Sequence, residues 1–107
     1  MTKPCDDIRV IDLSSGRQGG ITTMVLADYG AEVIKVEQPG GDPARETEYS
    51  WPMWLRGKRS VTLDLRTDAG RAQLHDLVRG ADVVVASYKP GRSEEHTSET
   101  PVTLIYL

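Results

Sequence analysis

The feature that most constrains this chain is a strand–helix–strand unit near its N-terminus. The β-branched run from Ile8 to Ser14 predicts a strand that is covered on both faces. A glycine-rich loop over residues 16–20 follows, and residues 21–29 carry apolar side chains at helical spacing. Gly30 suits a left-handed helix end, and residues 31–37 predict a second strand. A βαβ unit of this length predicts parallel strands joined by a right-handed crossover.

The second half of the chain repeats the alternation after an irregular stretch. Residues 38–59 show no clean period, and residues 60–65 alternate as a third strand. Thr67 can cap a helix whose inner face is Ala69, Leu74, Leu77 and Val78 and which ends at Gly80. Residues 81–88 predict a fourth strand, whose apolar centre favours a middle position. The sequence therefore predicts an α/β protein with a parallel sheet of about four strands and flanking helices.

Length and composition exclude several classes of protein. The chain has 107 residues, enough for one small domain, and a formal charge of −3, which argues against nucleic-acid binding driven by net charge. No apolar run approaches the ~20 residues of a membrane helix. The single cysteine, Cys5, excludes a disulfide framework within the chain. We therefore expect a cytoplasmic protein without a nucleic-acid or membrane partner.

The loop after the first strand is a candidate phosphate site. Gly16, Gly19 and Gly20 form a G-x-x-G-G pattern rather than the dinucleotide fingerprint G-x-G-x-x-G. Glu37 stands seventeen residues after Gly20 and could bind a ribose. The alternative interpretation is that the glycines only make a tight turn and that Glu37 is a solvated strand end.

Cations and aromatics around the third strand leave two interpretations open. The cations could bind a phosphorylated ligand or form an ordinary solvated surface. Trp51 and Trp54 could stack on a planar ligand, or cover an apolar edge or meet a partner chain. No Ser, His or Asp arrangement has the spacing of a catalytic constellation. The cations are Arg45, Arg56, Lys58, Arg59 and Arg66.

Four segments, in order, resemble the N-terminal part of the family III CoA-transferases of the CaiB/BaiF type. That family also contains formyl-CoA transferases, carnitine CoA-transferases and α-methylacyl-CoA racemases. The resemblance covers residues 4–91. The segments are Ile8–Leu13, Leu26–Glu37 with Pro39–Arg45, Arg56–Leu65, and Ala81–Val85 continuing into Tyr88–Gly91.

The resemblance implies a CoA-binding, Rossmann-like segment that is the incomplete N-terminal part of a larger fold. The implied CoA contacts follow each of the four strands. Family members often have a basic residue in place of Gln38, and Glu-Asn or Glu-Ser in place of Ala86-Ser87. The implied contacts are Arg17, Gln18, Gln38, Leu63, Asp64, Leu65, Arg66, Ser87, Tyr88 and Lys89.

The activity implied by the resemblance is CoA transfer between carboxylic acids. An aspartate forms a mixed anhydride and then an aspartyl-CoA thioester, with CoA thioesters and carboxylic acids as substrates and no permanently bound cofactor. Racemases of the family use a His/Asp pair instead. In both cases the catalytic residues fall beyond position 107, so we expect this chain to be inactive and its parent to be an interlocked homodimer. A non-catalytic nucleotide- or CoA-binding module and a flavodoxin-like interaction domain remain alternatives.

The character of the chain changes at Arg92. Residues 92–99 read like the translation of a common DNA sequencing adapter, and the same adapter with one extra base continues through Thr103. We therefore expect residues 1–91 to form the native CoA-binding segment and residues 92–107 to be a non-native tail from adapter read-through. The alternative is a genuine, divergent tail.

Overall fold

Five parallel strands form one sheet in the computed structural model, which describes residues 3–14, 17–41, 51–86 and 103–106. The α/β class, the parallel sheet and the four predicted strands are confirmed. The described elements are β1 (Arg9–Asp12), α1 (Arg17–Asp28), β2 (Glu32–Glu37), α2 (Trp51–Trp54), β3 (Lys58–Thr62), α3 (Asp68–Arg79), β4 (Val83–Ala86) and β5 (Thr103–Tyr106).

The strand order is β3-β2-β1-β4-β5. From β1 the chain adds β2 and β3 on one side, and β4 and β5 on the other. Val10 of β1 pairs with Val33 of β2 and with Val83 of β4, so β1 is central. β4 is also an inner strand, as predicted, because β5 pairs along it on the far side. No strand was predicted for residues 103–106, and the rest of the tail lies outside the described residues.

Each face of the sheet is covered by one long helix. Val10, Val33 and Val85 form a buried cluster against which Leu26 and Ala27 of α1 pack. The opposite face belongs to a larger cluster that includes Leu74 and Val78 of α3. Its strand residues are Ile11, Ile34, Val36, Val84 and Ala86, with Leu13 and Leu63 beside the strand ends.

The face of α1 that meets the sheet differs from the predicted one. Ile21 and Val25, expected to share in an apolar helix face, are exposed, while Gly19, Gly20 and Thr23 are buried. The helix also begins before residue 21, within the glycine-rich loop. The apolar pattern misleads here because glycine and threonine do not count as apolar positions, although their small size lets the helix approach its neighbours closely.

The second half departs from prediction at both β3 and α3. β3 lies earlier than residues 60–65 because the chain turns away from β2 at Asp64. Thr67 caps α3 as predicted, accepting a hydrogen bond from Gly70 N at 3.0 Å. Ala69, expected on the inner face, is exposed, and Gly70 is buried instead, since a Cβ there would lie 1.9 Å from Asp64 O.

The two glycine helix ends differ in conformation. Gly30 adopts the positive φ, +106°, that its position after α1 predicts. Gly80 ends α3 with a φ of −96°, so the prediction of a left-handed stop does not extend to it. Of the helices in the described ranges, none has the length and apolar run that crossing a membrane requires.

Candidate functional site

The described residues among the implied ligand contacts follow the carboxyl ends of β1, β2 and β3. Because the strands are parallel, their carboxyl ends share an edge, and ligands of open α/β sheets bind there, beside the point where the strand order reverses. That point is between β1 and β4. Arg17 and Gln18 are in the first turn of α1 after β1, and Gln38 follows β2 directly. Ser87, Tyr88 and Lys89 follow β4 and lie outside the described residues.

The segments after β2 and β3 are adjacent. Leu63 N donates to Glu37 O at 2.9 Å, extending the β2–β3 pairing by one residue. This bond brings the exposed Gln38 beside the turn that runs from Leu63 to Arg66. The side chain of Leu63 packs in the core with α3, so its backbone is the part that can face a ligand at this edge.

Asp64 and Arg66 form a closed ion pair within this turn. Oδ1 of Asp64 accepts hydrogen bonds from the backbone N and Nε of Arg66, each at 3.0 Å, and Oδ2 accepts one from Nη2 at 3.2 Å. The Arg66 side-chain hydrogen bonds, with its backbone N–H, hold the pKa of Asp64 below its ordinary value. The Arg66 side chain remains 84% exposed, so its guanidinium can still reach an anion.

The turn is fixed to the start of α3. Thr67 Oγ1 donates to Asp64 O at 2.8 Å, and Arg71 Nη1 donates to Leu65 O at 3.0 Å. Arg71 also bonds Asp68 in the first turn of the helix. The backbone that carries Asp64, Leu65 and Arg66 is therefore held from both ends.

A buried polar cluster lies between the sheet and α1. We define it as Asp12, Ser14, Thr23, Lys35 and Lys58. The carboxylate of Asp12 is fully buried, and its Oδ2 lies 3.4 Å from Nζ of Lys58, whose side chain is 1% exposed. Residues of this kind are almost never fully buried unless they are paired. Sequence reasoning missed the cluster, although charged residues inside otherwise apolar strands were a usable signal.

Glu37 is buried, and the cations near β3 differ in their exposure to solvent. Glu37 is 4% exposed and accepts a hydrogen bond from Ser60 Oγ at 2.5 Å, so it is not a solvated strand end. The interpretation of the cations as solvated surface is wrong for the buried Lys58, but it describes Arg59, whose side chain is 78% exposed. Arg45 lies outside the described residues.

Trp54 covers the first turns of α1. It is buried, and a Cβ at Gly20 would lie 3.0 Å from its Cε3 atom. This contact explains why glycine occupies position 20, and it agrees with the interpretation that a tryptophan here covers an apolar edge. In the part of the chain that the structure describes, no group of three His, Cys, Asp or Glu side chains is arranged to hold a metal ion.

Comparisons with known proteins agree on one family. The succinyl-CoA–D-citramalate CoA-transferase of Chloroflexus aurantiacus is 45% identical over an alignment 102 residues long. The alignment covers 87% of this chain and 25% of that protein. The succinyl-CoA:mesaconate CoA-transferase of Haloarcula hispanica is 44% identical over an alignment of the same length, which covers 84% of this chain and 26% of that protein. The chain thus spans about a quarter of the length of these curated relatives.

A solved structure shares the fold. The crystal structure of Rv3272 from Mycobacterium tuberculosis superposes with a TM-score of 0.82 at 40% identity, covering 98% of this chain and 32% of that chain. The family model described as CoA-transferase family III matches residues 5–99. The resemblance drawn from the sequence is therefore confirmed, and this chain belongs to CoA-transferase family III.

Proposed function

We propose that this chain supplies the CoA-binding edge of an enzyme that transfers CoA from an acyl-CoA to a carboxylic acid. The observation that carries the proposal is that the start of α1 at Arg17, Gln38 and the turn from Leu63 to Arg66 follow β1, β2 and β3 at the carboxyl edge of one parallel sheet. Relatives at 44% and 45% identity are named as CoA-transferases, which favours transfer over the racemisation known in the same family.

The chemistry of this edge suits the nucleotide end of CoA. CoA carries several phosphate groups, and guanidinium groups bind phosphate oxygens through paired hydrogen bonds. Arg66 offers an exposed guanidinium on a braced turn, and Gln38 offers an amide beside it. We propose that Asp64 and Leu65 contact CoA next to Arg66, and that Ser87, Tyr88 and Lys89 complete the site after β4.

The aspartyl route requires a carboxylate that is free to attack, and the described aspartates at this edge, Asp12, Asp64 and Asp68, are all engaged, Asp68 by Arg71. Asp12 is buried and bonded to Ser14, Thr23 and Lys58, and Asp64 is bonded to Arg66. We therefore propose that the nucleophilic aspartate belongs to the remainder of the longer enzyme, and that this chain alone has no transferase turnover.

The proposed transfer balances without any further reactant. The aspartate oxygen attacks the thioester carbonyl, and the C–S bond breaks. CoA departs as the thiolate, and the acyl group and the aspartate form a mixed anhydride. The thiolate then attacks the aspartyl carbonyl, which releases the donor acid and forms the aspartyl-CoA thioester. The acceptor carboxylate attacks that thioester, which releases the thiolate and forms a second mixed anhydride. The thiolate finally attacks the acceptor acyl carbon of this anhydride, which forms the new acyl-CoA and regenerates the aspartate. CoA and acyl-CoA are thus substrates and no resident cofactor is required.

We extend the proposal to the setting of the whole enzyme. On the family resemblance, we place it in the cytoplasm as an interlocked homodimer that acts on CoA thioesters and carboxylic acids, without nucleic-acid or membrane partners. Both relatives compared above have succinyl-CoA in their names, so succinyl-CoA is the first donor to test.

Calorimetric titration of the 107-residue chain with CoA tests the binding proposal. We expect saturable binding, with amide NMR shifts concentrated at Gln38 and from Leu63 to Arg66. ADP serves as the comparison ligand, because equal affinity for ADP and CoA would favour a generic nucleotide-binding module. Absence of saturation up to about 1 mM CoA contradicts the proposal. Acyl transfer by the purified chain would contradict the assignment of the nucleophile elsewhere.

A further inference from the structure

Ser14 is held on three sides by two buried charged side chains. Oδ1 of Asp12 accepts hydrogen bonds from Ser14 N, at 2.9 Å, and from Ser14 Oγ. Lys35 Nζ donates to Ser14 O at 2.9 Å. Ser14 is the last described residue before the loop that leads into α1, so these bonds fix the direction in which the chain leaves β1.

The other end of the loop is held by the second oxygen of the same carboxylate. Oδ2 of Asp12 lies 2.7 Å from Thr23 Oγ1 and 3.4 Å from Lys58 Nζ. Thr23 has one hydroxyl proton, and the carboxylate is a stronger acceptor than the nearby carbonyl oxygens. Lys58 Nζ also donates to Gly20 O at 3.1 Å, so it joins the first turns of α1 to Asp12.

Close packing leaves the two ends little freedom to separate. A Cβ at Gly19 would lie 2.0 Å from Ser14 Oγ, so the first turn of α1 rests directly on Ser14. The carboxylate of Asp12 therefore bridges both sides of the segment that carries Arg17 and Gln18. Buried ion pairs often add little stability over apolar side chains of similar size. The better reason for the Asp12–Lys58 pair is therefore that it fixes the position of α1 relative to the end of β1.

We propose that Asp12 is a positioning residue, acting with Lys35 and Lys58, that sets the geometry of the β1–α1 loop for CoA binding. None of the three contacts CoA in this proposal. They act through Ser14, Thr23 and the carbonyl of Gly20. The inference rests on the proposed CoA-binding function and assigns a role to buried charges that the proposed ligand contacts do not include.

The substitution Asp12→Asn tests the bridge directly. Asparagine keeps the size of the side chain but replaces one acceptor oxygen with an NH2 donor, so with its oxygen on Ser14 it turns a donor toward the donor-only Nζ of Lys58. We expect the CoA dissociation constant of the folded variant to rise about ten-fold or more, because small displacements of binding groups are costly. Faster amide hydrogen exchange at Ser14 and in the first turns of α1 should accompany it, with α3 unchanged.

Asp82→Asn is the matched control. Oδ2 of Asp82 also accepts a backbone hydrogen bond between segments, from Arg9 N at 2.9 Å, but at the amino edge of the sheet. We expect its CoA affinity to match that of the unsubstituted chain. Thr23→Val is the second variant, because it removes one bond to Asp12 without changing a charge. If Asp12→Asn does not fold, the CoA dissociation constant and the amide hydrogen exchange of Thr23→Val test the proposal in its place.

The outcomes separate this inference from the proposed function. Unchanged CoA affinity in a folded Asp12→Asn variant, or an equal loss in Asp82→Asn, overturns the inference while CoA binding by the unsubstituted chain stands. A purely structural role would lower the free energy of unfolding and leave the affinity of folded molecules unaltered. Failure of the unsubstituted chain to bind CoA overturns both proposals together.

Discussion

Nζ of Lys58 lies 3.4 Å from Oδ2 of Asp12, and both side chains are almost completely removed from solvent. The two residues are 46 positions apart and belong to strands separated by β2. Removing one partner from a buried pair leaves the other charge without compensation, whereas an exposed pair is worth little. Loss of Lys58 should therefore lower the free energy of unfolding far more than loss of an exposed cation of the same strand.

We predict that Lys58→Met lowers the free energy of unfolding by about 3–5 kcal/mol. The methionine stem fills the space but leaves the Asp12 carboxylate without its cation. Urea unfolding followed by circular dichroism measures the change. The neighbouring Arg59→Met is the control. Arg59 is exposed, and its ion pair with Glu32, at 3.7 Å, lies in solvent, so this substitution should cost about 1 kcal/mol or less. Equal costs for the two variants would contradict the assignment of Lys58.

The alternation of strands and helices could be predicted from the sequence because each element depends on local pattern. The βαβ unit, the positive φ of Gly30 and the Thr67 cap are all confirmed. These features require only neighbouring residues: an apolar period, a residue without a Cβ, or a hydroxyl at the right offset from a backbone N–H. Periodicity therefore identified the elements, with errors at their ends.

The buried polar cluster could not be predicted in the same way. Asp12, Lys35 and Lys58 meet because β2 lies between β1 and β3 in the sheet, and strand order is not encoded in any local pattern. The inward face of α1 was missed for a related reason. Its buried positions Gly19, Gly20 and Thr23 make polar contacts or close approaches, which a count of apolar residues does not register.

Gly70→Ala should destabilise the protein although alanine is the better helix former. A Cβ at this position would lie 1.9 Å from the carbonyl oxygen of Asp64, and a backbone atom cannot rotate away as a side chain can. We expect overpacking to cost about 1–3 kcal/mol, more than the helix propensity gained. Thermal unfolding measures it, and Gln73→Ala, at an exposed position of the same helix, should be close to neutral. A stabilised Gly70→Ala variant would show that the turn relaxes freely.

The Asp64–Arg66 pair predicts a specific response to acid. Hydrogen bonds from Arg66 lower the pKa of Asp64 in the folded protein, so the unfolded chain binds the proton more readily. The contribution of this pair to stability is therefore present above the ordinary aspartate pKa of about 3.9 and is lost as pH falls through the lower folded value. Carboxyl-detected NMR titration should give a midpoint below the ordinary value, and Arg66→Ala should return it upward. A midpoint unchanged by that substitution would refute the pairing.

Arg66→Ala should also weaken CoA binding by roughly 3- to 10-fold, because one charge-assisted hydrogen bond to phosphate is lost. Arg79→Ala provides a close control. Arg79 is an exposed arginine that bonds a nearby aspartate, Asp76, on the same helix, but it stands at the end of α3 away from the carboxyl edge. Calorimetry at two salt concentrations measures both variants, and the difference between them should shrink at high salt. Equal losses would point to a general effect of net charge.

Residues 92–107 yield a prediction about the gene. If the tail is adapter read-through, independent genomic reads across the codon for Gly91 will continue with a different sequence. Residues 103–106 form β5, paired with β4 from Val83↔Thr103 to Ala86↔Tyr106, so the same reads decide whether β5 belongs to the native sheet. Genomic reads that diverge directly after the codon for Gly91 would make residues 92–107, β5 included, foreign to the gene. Reads that reproduce all the codons from 92 to 107 would show that the whole tail is native and that β5 is an authentic strand of the sheet.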